Sequence, residues 1–129
     1  MFKTMLVLLI TVLFVGCTLV PGDTPSWFPA PDKPNGPKWT YVNTKIEFET
    51  KGTDPLDVHE FQWDFGDGTQ SDWDDGAETI KYTYKSPEIY EVKVREQCPL
   101  KLFTSPWSDA HKITIITKKK AVTLKWFWE

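Results

Sequence analysis

The chain has few of the side chains that enzymes use for nucleophilic or acid–base catalysis. Its 129 residues include only two histidines and two cysteines. His59 and His111 both have the parity of core-facing strand positions beside apolar neighbours, and no serine or cysteine nucleophile motif accompanies them. The sequence therefore predicts a protein that is not an enzyme.

A strongly basic face is also lacking. Fifteen lysines and arginines stand against 18 aspartates and glutamates, which gives a formal net charge of −3. Nucleic-acid binding requires clustered positive charge, and no basic stripe with interleaved aromatic residues occurs before the C-terminal tail. We therefore expect no nucleic-acid partner.

The longest apolar run, Met5 to Val15, is shorter than the roughly 20 residues that cross a bilayer. With Lys3 before it, this run has the form of a secretory signal. Gly16 and Cys17 follow it and resemble the bacterial lipobox, in which the cysteine thiol is diacylated and becomes the new N-terminus.

The lipobox resemblance implies a signal peptide over residues 1–16 and lipidation at Cys17. An ordinary signal peptide and an uncleaved anchor helix extended through Val20 are the alternatives. In all three cases we expect the rest of the chain outside the cytoplasm, at the cell envelope. If Cys17 is acylated, Cys98 remains as a buried free thiol or forms an intermolecular disulfide.

Six of the ten prolines fall between Thr18 and Pro37. Proline fixes φ and removes a backbone donor, so residues 17–37 are predicted to form a semi-rigid linker. Within this linker, we expect Trp27 and Phe28 to fold back on the following domain; contact with a partner is the alternative.

From residue 38 to residue 117 the apolar residues alternate with polar ones, which is typical of half-buried strands. About seven short strands with turn residues between them indicate an all-β fold of the β-sandwich type. The residues expected to face the core include Ile46, Phe48, Phe61, Trp63, Phe65, Ile80, Tyr82, Tyr84, Tyr90, Val92, Val94, Ile113 and Ile115.

One stretch, Phe61-Gln62-Trp63-Asp64-Phe65-Gly66-Asp67-Gly68, begins as a strand and ends in a tight turn. Together with Tyr-Lys-Ser-Pro-Glu-Ile-Tyr-Glu-Val-Lys-Val at 84–94, it resembles the PKD domain, an immunoglobulin-like β-sandwich, over about residues 37–117. The resemblance implies this fold, an extracellular setting, and a structural role for Trp63, Asp64, Phe65, Gly66, Asp67, Gly68, Tyr90 and Val92.

Acidic residues are concentrated around this motif. Calcium is held by several converging oxygen ligands, but the spacing here does not match a calcium-loop pattern. A solvated acidic loop is therefore the preferred interpretation, and no metal or other cofactor is predicted. The weak calcium candidates are Asp64, Asp67, Asp72, Asp74 and Asp75.

Several large apolar residues lie where loops are usually polar. Trp73 lies in a polar excursion, and the loop from Cys98 to Ser108 contains four more: Leu100, Leu102, Phe103 and Trp107. The tail, residues 118–129, can form a strand that either packs on the domain or acts as an adhesive element. The candidate binding residues are Trp73, Leu102, Phe103, Trp107, Trp126 and Trp128.

These residues support two hypotheses of different class. One is a protein–protein module that contacts an envelope protein through the loop and the tail. The other is a carbohydrate-binding module that stacks a polysaccharide on its exposed aromatic rings. The sequence names neither partner.

Overall fold

A computed structural model describes residues 28–53, 59–98 and 103–119 of the chain. None of these residues lies in a helix, so the described part contains no helix able to cross a membrane. The described residues form seven strands: β1 (Trp39–Tyr41), β2 (Lys45–Glu49), β3 (Glu60–Asp64), β4 (Asp74–Asp75), β5 (Thr79–Thr83), β6 (Ile89–Gln97) and β7 (His111–Ile116).

The strands form two sheets that pack face to face. The larger sheet has the order β1-β7-β6-β3-β4, and the smaller sheet pairs β2 with β5. All neighbours are antiparallel except β1 and β7, which run parallel with Trp39 opposite Thr114. The predicted all-β immunoglobulin-like sandwich is confirmed.

The core lies between the sheets, where both contribute alternate side chains. On β6, Tyr90, Val92 and Val94 are buried and their odd-numbered neighbours point outward. The expected inward parities of β2, β3 and β7 are also confirmed. The buried cluster consists of Ile46, Phe48, Phe61, Trp63, Phe65, Tyr84, Tyr90, Val92, Val94, Ile113 and Ile115.

Trp63 lies at the centre of this core and is fully buried. A buried indole N–H requires an acceptor, and Nε1 donates to the carbonyl of Ala77 at 3.1 Å. Because Ala77 lies between β4 and β5, this bond ties the motif strand β3 to the connection that crosses between the sheets.

The segment from 28 to 37 belongs to the domain, although the sequence assigned it to the linker. Phe28, Pro31 and Pro34 are buried, and Asn35 exchanges backbone hydrogen bonds of 2.7 and 2.9 Å with Glu49 of β2. The proline spacing correctly excluded a regular strand. The expectation that Phe28 folds back on the domain is confirmed. The sequence did not predict that the segment would lie along β2.

Other strand boundaries also differ from the expectation. The last strand begins at His111 and not near Ser105, because Pro106 and two serine side chains replace part of the ladder, as described below. β4 was not predicted at all; it is a two-residue edge strand of adjacent aspartates. The predicted tail strand lies outside the described residues.

Candidate functional site

The turn after β3 is closed by the two aspartates of the motif. Asp64 Oδ1 accepts from the backbone N–H of Gly66 at 2.9 Å, and Asp67 Oδ1 accepts from that of Thr69 at 2.9 Å. Gly66 has a φ of +76°. A Cβ there would lie 2.6 Å from the carbonyl oxygen of Glu91, so only glycine allows the turn to approach β6 this closely.

Two tyrosines hold this turn in place: Tyr82 of β5 and Tyr84, which follows the end of β5. Tyr82 Oη donates to Asp67 Oδ2 at 2.6 Å, and Tyr84 Oη donates to the Phe65 carbonyl at 2.7 Å. Burial, followed by the hydrogen bond to Asp67, raises the pKa of Tyr82. Burial and the nearby charge of Asp67 raise the pKa of Tyr84 further. The two aspartates of the motif therefore have a structural role: they accept the hydrogen bonds that close the turn and join it to Tyr82.

The five weak calcium candidates do not converge on one point. Two of them close the turn, as described above, and Asp74 and Asp75 pair with β3 at the edge of the sheet. Within residues 28–53, 59–98 and 103–119, no group of three or more acidic, histidine or cysteine side chains is arranged to hold a metal ion. The geometry therefore gives no support to a calcium site here.

Trp73 and Trp107 meet over one arginine on the outer face of the larger sheet. The guanidinium carbon of Arg95 lies 4.4 Å from the ring centre of Trp107 and 5.3 Å from that of Trp73. Both tryptophans are half-buried. We call these three residues the tryptophan–arginine surface. The sequence predicted both aromatic rings but missed Arg95, whose outward parity opposite Gln62 was the available signal.

Arg95 is held in place by its cross-strand neighbour. Its Nε and Nη2 both donate to Gln62 Oε1, at 3.0 and 2.7 Å. Gln62 lies directly opposite Arg95 in the β3–β6 register, so these two hydrogen bonds hold the guanidinium over β3. The rings can therefore pack on a positioned cation and not on a freely rotating one.

Two serines position Trp107 by replacing strand pairing with side-chain hydrogen bonds. Ser108 Oγ accepts from the Val94 N–H at 3.1 Å, and Ser105 Oγ accepts from the Glu96 N–H at 3.0 Å. Their own N–H groups donate to the carbonyls of the same two β6 residues, each at 2.8 Å. This double attachment holds the intervening Pro106-Trp107 against β6 and directs the indole over Arg95.

A buried polar cluster on the opposite face of β6 from Arg95 was not foreseen. Glu96 is fully buried, and its Oε2 lies 3.2 Å from His59 Nδ1. It also accepts from the backbone N–H and the hydroxyl of Thr53. Inward parity at both His59 and Glu96 was the signal that two polar side chains would face the same end of the core. The expected burial of both histidines is confirmed, and His111 Nε2 contacts the Pro37 carbonyl at 3.1 Å.

Cys98 is buried at the end of β6 and is disulfide-bonded. The expectation of a free thiol is therefore wrong. The only other cysteine of the sequence is Cys17, which lies outside the described residues, as do Leu102, Trp126 and Trp128. Phe103 is half-buried, and its carbonyl accepts from the Cys98 N–H at 3.1 Å.

A family model of the PKD domain matches residues 29–97. The chain belongs to the PKD domain family. The match begins at the buried segment before β1, in agreement with the packing of residues 28–37, and ends with β6. PKD domains are typically non-catalytic extracellular modules, so the extracytoplasmic setting expected from the sequence fits the family.

Sixteen chains of solved structures match this PKD domain. One is the PKD domain of an M14-like peptidase from Thermoplasmatales archaeon SCGC AB-540-F20, with a TM-score of 0.56 and 23% sequence identity. The alignment covers 69% of this chain and 97% of that one. At this identity the likeness shows the fold alone. No curated protein matches the chain.

Proposed function

We propose that this PKD domain is a non-catalytic binding module, anchored to the membrane by lipid at Cys17, that contacts another protein at the cell envelope through the tryptophan–arginine surface. The observation that supports this function is the convergence of Trp73, Arg95 and Trp107 on one outer face of the sheet. Gln62 of β3 fixes the arginine, and the serine attachment fixes one ring, so the surface is preorganised.

Preorganised tryptophan and arginine side chains are the residue types that dominate protein–protein hot spots. The remainder of the same face is polar: Glu60 pairs with Gln97, and Asp64 lies opposite Lys93. An apolar and cationic centre with a polar surround is the usual anatomy of a protein interface. A partner with a carboxylate beside an apolar side chain would complement it.

A carbohydrate ligand is the second candidate. Two half-buried indoles on one face favour it, because sugar rings stack on aromatic faces. However, the ring centres of Trp73 and Trp107 both lie against the Arg95 guanidinium, so one face of each ring is already used. We therefore place the protein partner first.

A lipid anchor and an intramolecular disulfide would both use the sulfur atom of Cys17, so the two exclude each other. If the disulfide of Cys98 is intramolecular, its partner within these 129 residues is Cys17. With lipid at Cys17, as proposed, the disulfide of Cys98 is instead intermolecular. A diacylated Cys17 carries a thioether and cannot form a disulfide. The intact mass of the chain purified from its own cell envelope distinguishes the two forms, and an unacylated chain would contradict the anchoring part of the proposal.

The binding part is tested by immobilising the chain from residue 18 onward and exposing it to the solubilised envelope of the source cell. We expect a specific protein to be retained, and Trp73→Ala and Arg95→Ala each to weaken its retention at least severalfold. Lys45→Ala is the control, because Lys45 is exposed on β2 of the smaller sheet, away from this surface.

Circular dichroism must show that each variant is folded. Retention of polysaccharide alone, lost in Trp73→Ala, would replace the protein partner with a glycan. Retention that is equal in all variants would assign the tryptophan–arginine surface a purely structural role.

A further inference from the structure

A second surface, on the same sheet but at its other edge, is apolar where a solvated sheet face is normally polar. Trp39 and Ile89 are exposed by 57% and 68%, and Ile116 by 38%. Tyr41 is half-buried beside them. We call these four residues the β1–β7 patch.

The strand register explains why the four side chains form one patch. Trp39 of β1 and Ile89 of β6 both lie opposite Thr114 of the intervening β7. Tyr41 lies opposite Ile116 one row further along. Because neighbouring strands are about 4.8 Å apart, the four side chains surround Thr114 on a single face. The Trp39 and Tyr41 rings contact each other edge to face at 5.6 Å.

The patch has a defined boundary. On one side Lys112 and Glu91 form an exposed ion pair at 3.3 Å. On the other side Lys118 Nζ lies 5.3 Å from the ring centre of Tyr41. A groove at this end is lined by Tyr41, Pro87, Ile116 and the residues from 117 to 119. The described chain thus leaves the domain directly beside its own apolar patch.

In residues 120–129, which follow, apolar side chains occur at every second position, a pattern that suits contact with such a patch. Val122, Leu124, Trp126 and Trp128 alternate with more polar neighbours, so an extended segment would present them on one side. Ten residues at about 3.3 Å each reach much further than the width of three strands. Among the described strands, none pairs with the outer edge of β1.

We propose that residues 120–129 fold back in the same chain and cover the β1–β7 patch with this apolar side. The patch and the tail are then two halves of one intramolecular contact, separate from the tryptophan–arginine surface. The connection through Lys118 and Lys119 is short, so the local concentration of the tail at the patch is high and favours its own chain over a second copy.

Hydroxyl-radical footprinting of the full chain tests this proposal. We expect Trp39, Ile89 and Ile116 to be protected, and a chain that ends at Lys119 to oxidise severalfold faster at these positions. Trp73 and Trp107 are internal references whose oxidation should not change. Leu124→Asp should reproduce the effect of the deletion in a chain of unchanged length.

Thr123→Asp is the matched control, since it adds the same charge on the opposite side of the tail and should leave the patch protected. Equal oxidation of the patch with and without the tail would overturn the proposal. Equal effects of Leu124→Asp and Thr123→Asp would also overturn it. Protection that appears only as the chain dimerises, followed by sedimentation velocity, would instead assign the cover to the tail of a second copy.

Discussion

Tyr82 Oη and Asp67 Oδ2 lie 2.6 Å apart, so a strand of the smaller sheet is hydrogen-bonded to the turn that ends β3 in the larger sheet. The Phe65 and Tyr82 rings stack beside this bond at 3.7 Å. The acidic turn of the family motif therefore links the two sheets. Both of its aspartates, Asp64 and Asp67, accept hydrogen bonds.

The Tyr82–Asp67 bond predicts a specific dependence of stability on pH. The raised pKa of Tyr82 in the folded state means that folding favours the neutral phenol. Its contribution is therefore complete below the ordinary pKa of 10.0 and is lost as the pH rises above it. A double-mutant cycle of Tyr82→Phe and Asp67→Asn, measured by urea unfolding, should give a coupling of about 1 kcal/mol at pH 8. The coupling should fall as the pH rises past 10.0; a coupling that stays constant as the pH is raised well past 10.0 would contradict the assignment.

Alanine substitutions at Gly66 and Gly68 test whether the turn must approach β6 closely. Both have positive φ, 76° and 88°, but an added Cβ meets the Glu91 backbone only at Gly66. We expect Gly68→Ala to lower the free energy of unfolding by about 1 kcal/mol from backbone strain. Gly66→Ala should cost about 3 kcal/mol, because steric overlap is added to that strain. Equal losses for the two variants in denaturant unfolding would show that the turn can move away from β6.

The buried Glu96 should matter far more to stability than an exposed glutamate on the same strand. Glu96→Ala leaves His59 and Thr53 without the carboxylate that they contact, and should lower the free energy of unfolding by about 3 kcal/mol. Glu91→Ala is the control; its ion pair with Lys112 is exposed and should contribute less than about 0.5 kcal/mol. Similar losses in urea unfolding would show that the buried cluster is replaced by water at little cost.

The packing of residues 28–37 on β2 predicts that the domain requires this segment. Phe28 is only 5% exposed and contacts His59 edge to face at 5.3 Å. Phe28→Ala should therefore destabilise the domain by about 3 kcal/mol. Lys33→Ala changes an exposed side chain of the same segment and should stay within about 0.5 kcal/mol. If thermal unfolding of both variants matches that of the parent chain, the segment is an independent linker.

The inward parities of β2, β3, β6 and β7 could be predicted because a strand alternates its faces with a period of two, whatever its partner is. The motif turn could be predicted because Gly66 and Asp67 carry local turn chemistry. Neither rule contains information about which strands become neighbours. The parallel pairing of β1 with β7 and the short strand β4 therefore came only from the structure.

The candidate site was also predictable only in part from the sequence. Trp73 and Trp107 stood out as large aromatic residues in polar surroundings, but they are 34 positions apart in the sequence. Only the β3–β6 register and the serine attachment of Trp107 bring both rings to Arg95. Likewise, His59 and Glu96 each had inward parity, and only their positions at one end of the core made them a pair.

The sequence by itself determined the period-two alternation, the turn after β3 and membership of a sandwich fold, because these follow from the preferences of neighbouring residues. The tertiary structure decided which outward-facing side chains share a surface and where residues 28–37 pack. Those outcomes depend on strand order and on contacts between distant residues, where several arrangements satisfy the same local pattern and packing selects one of them.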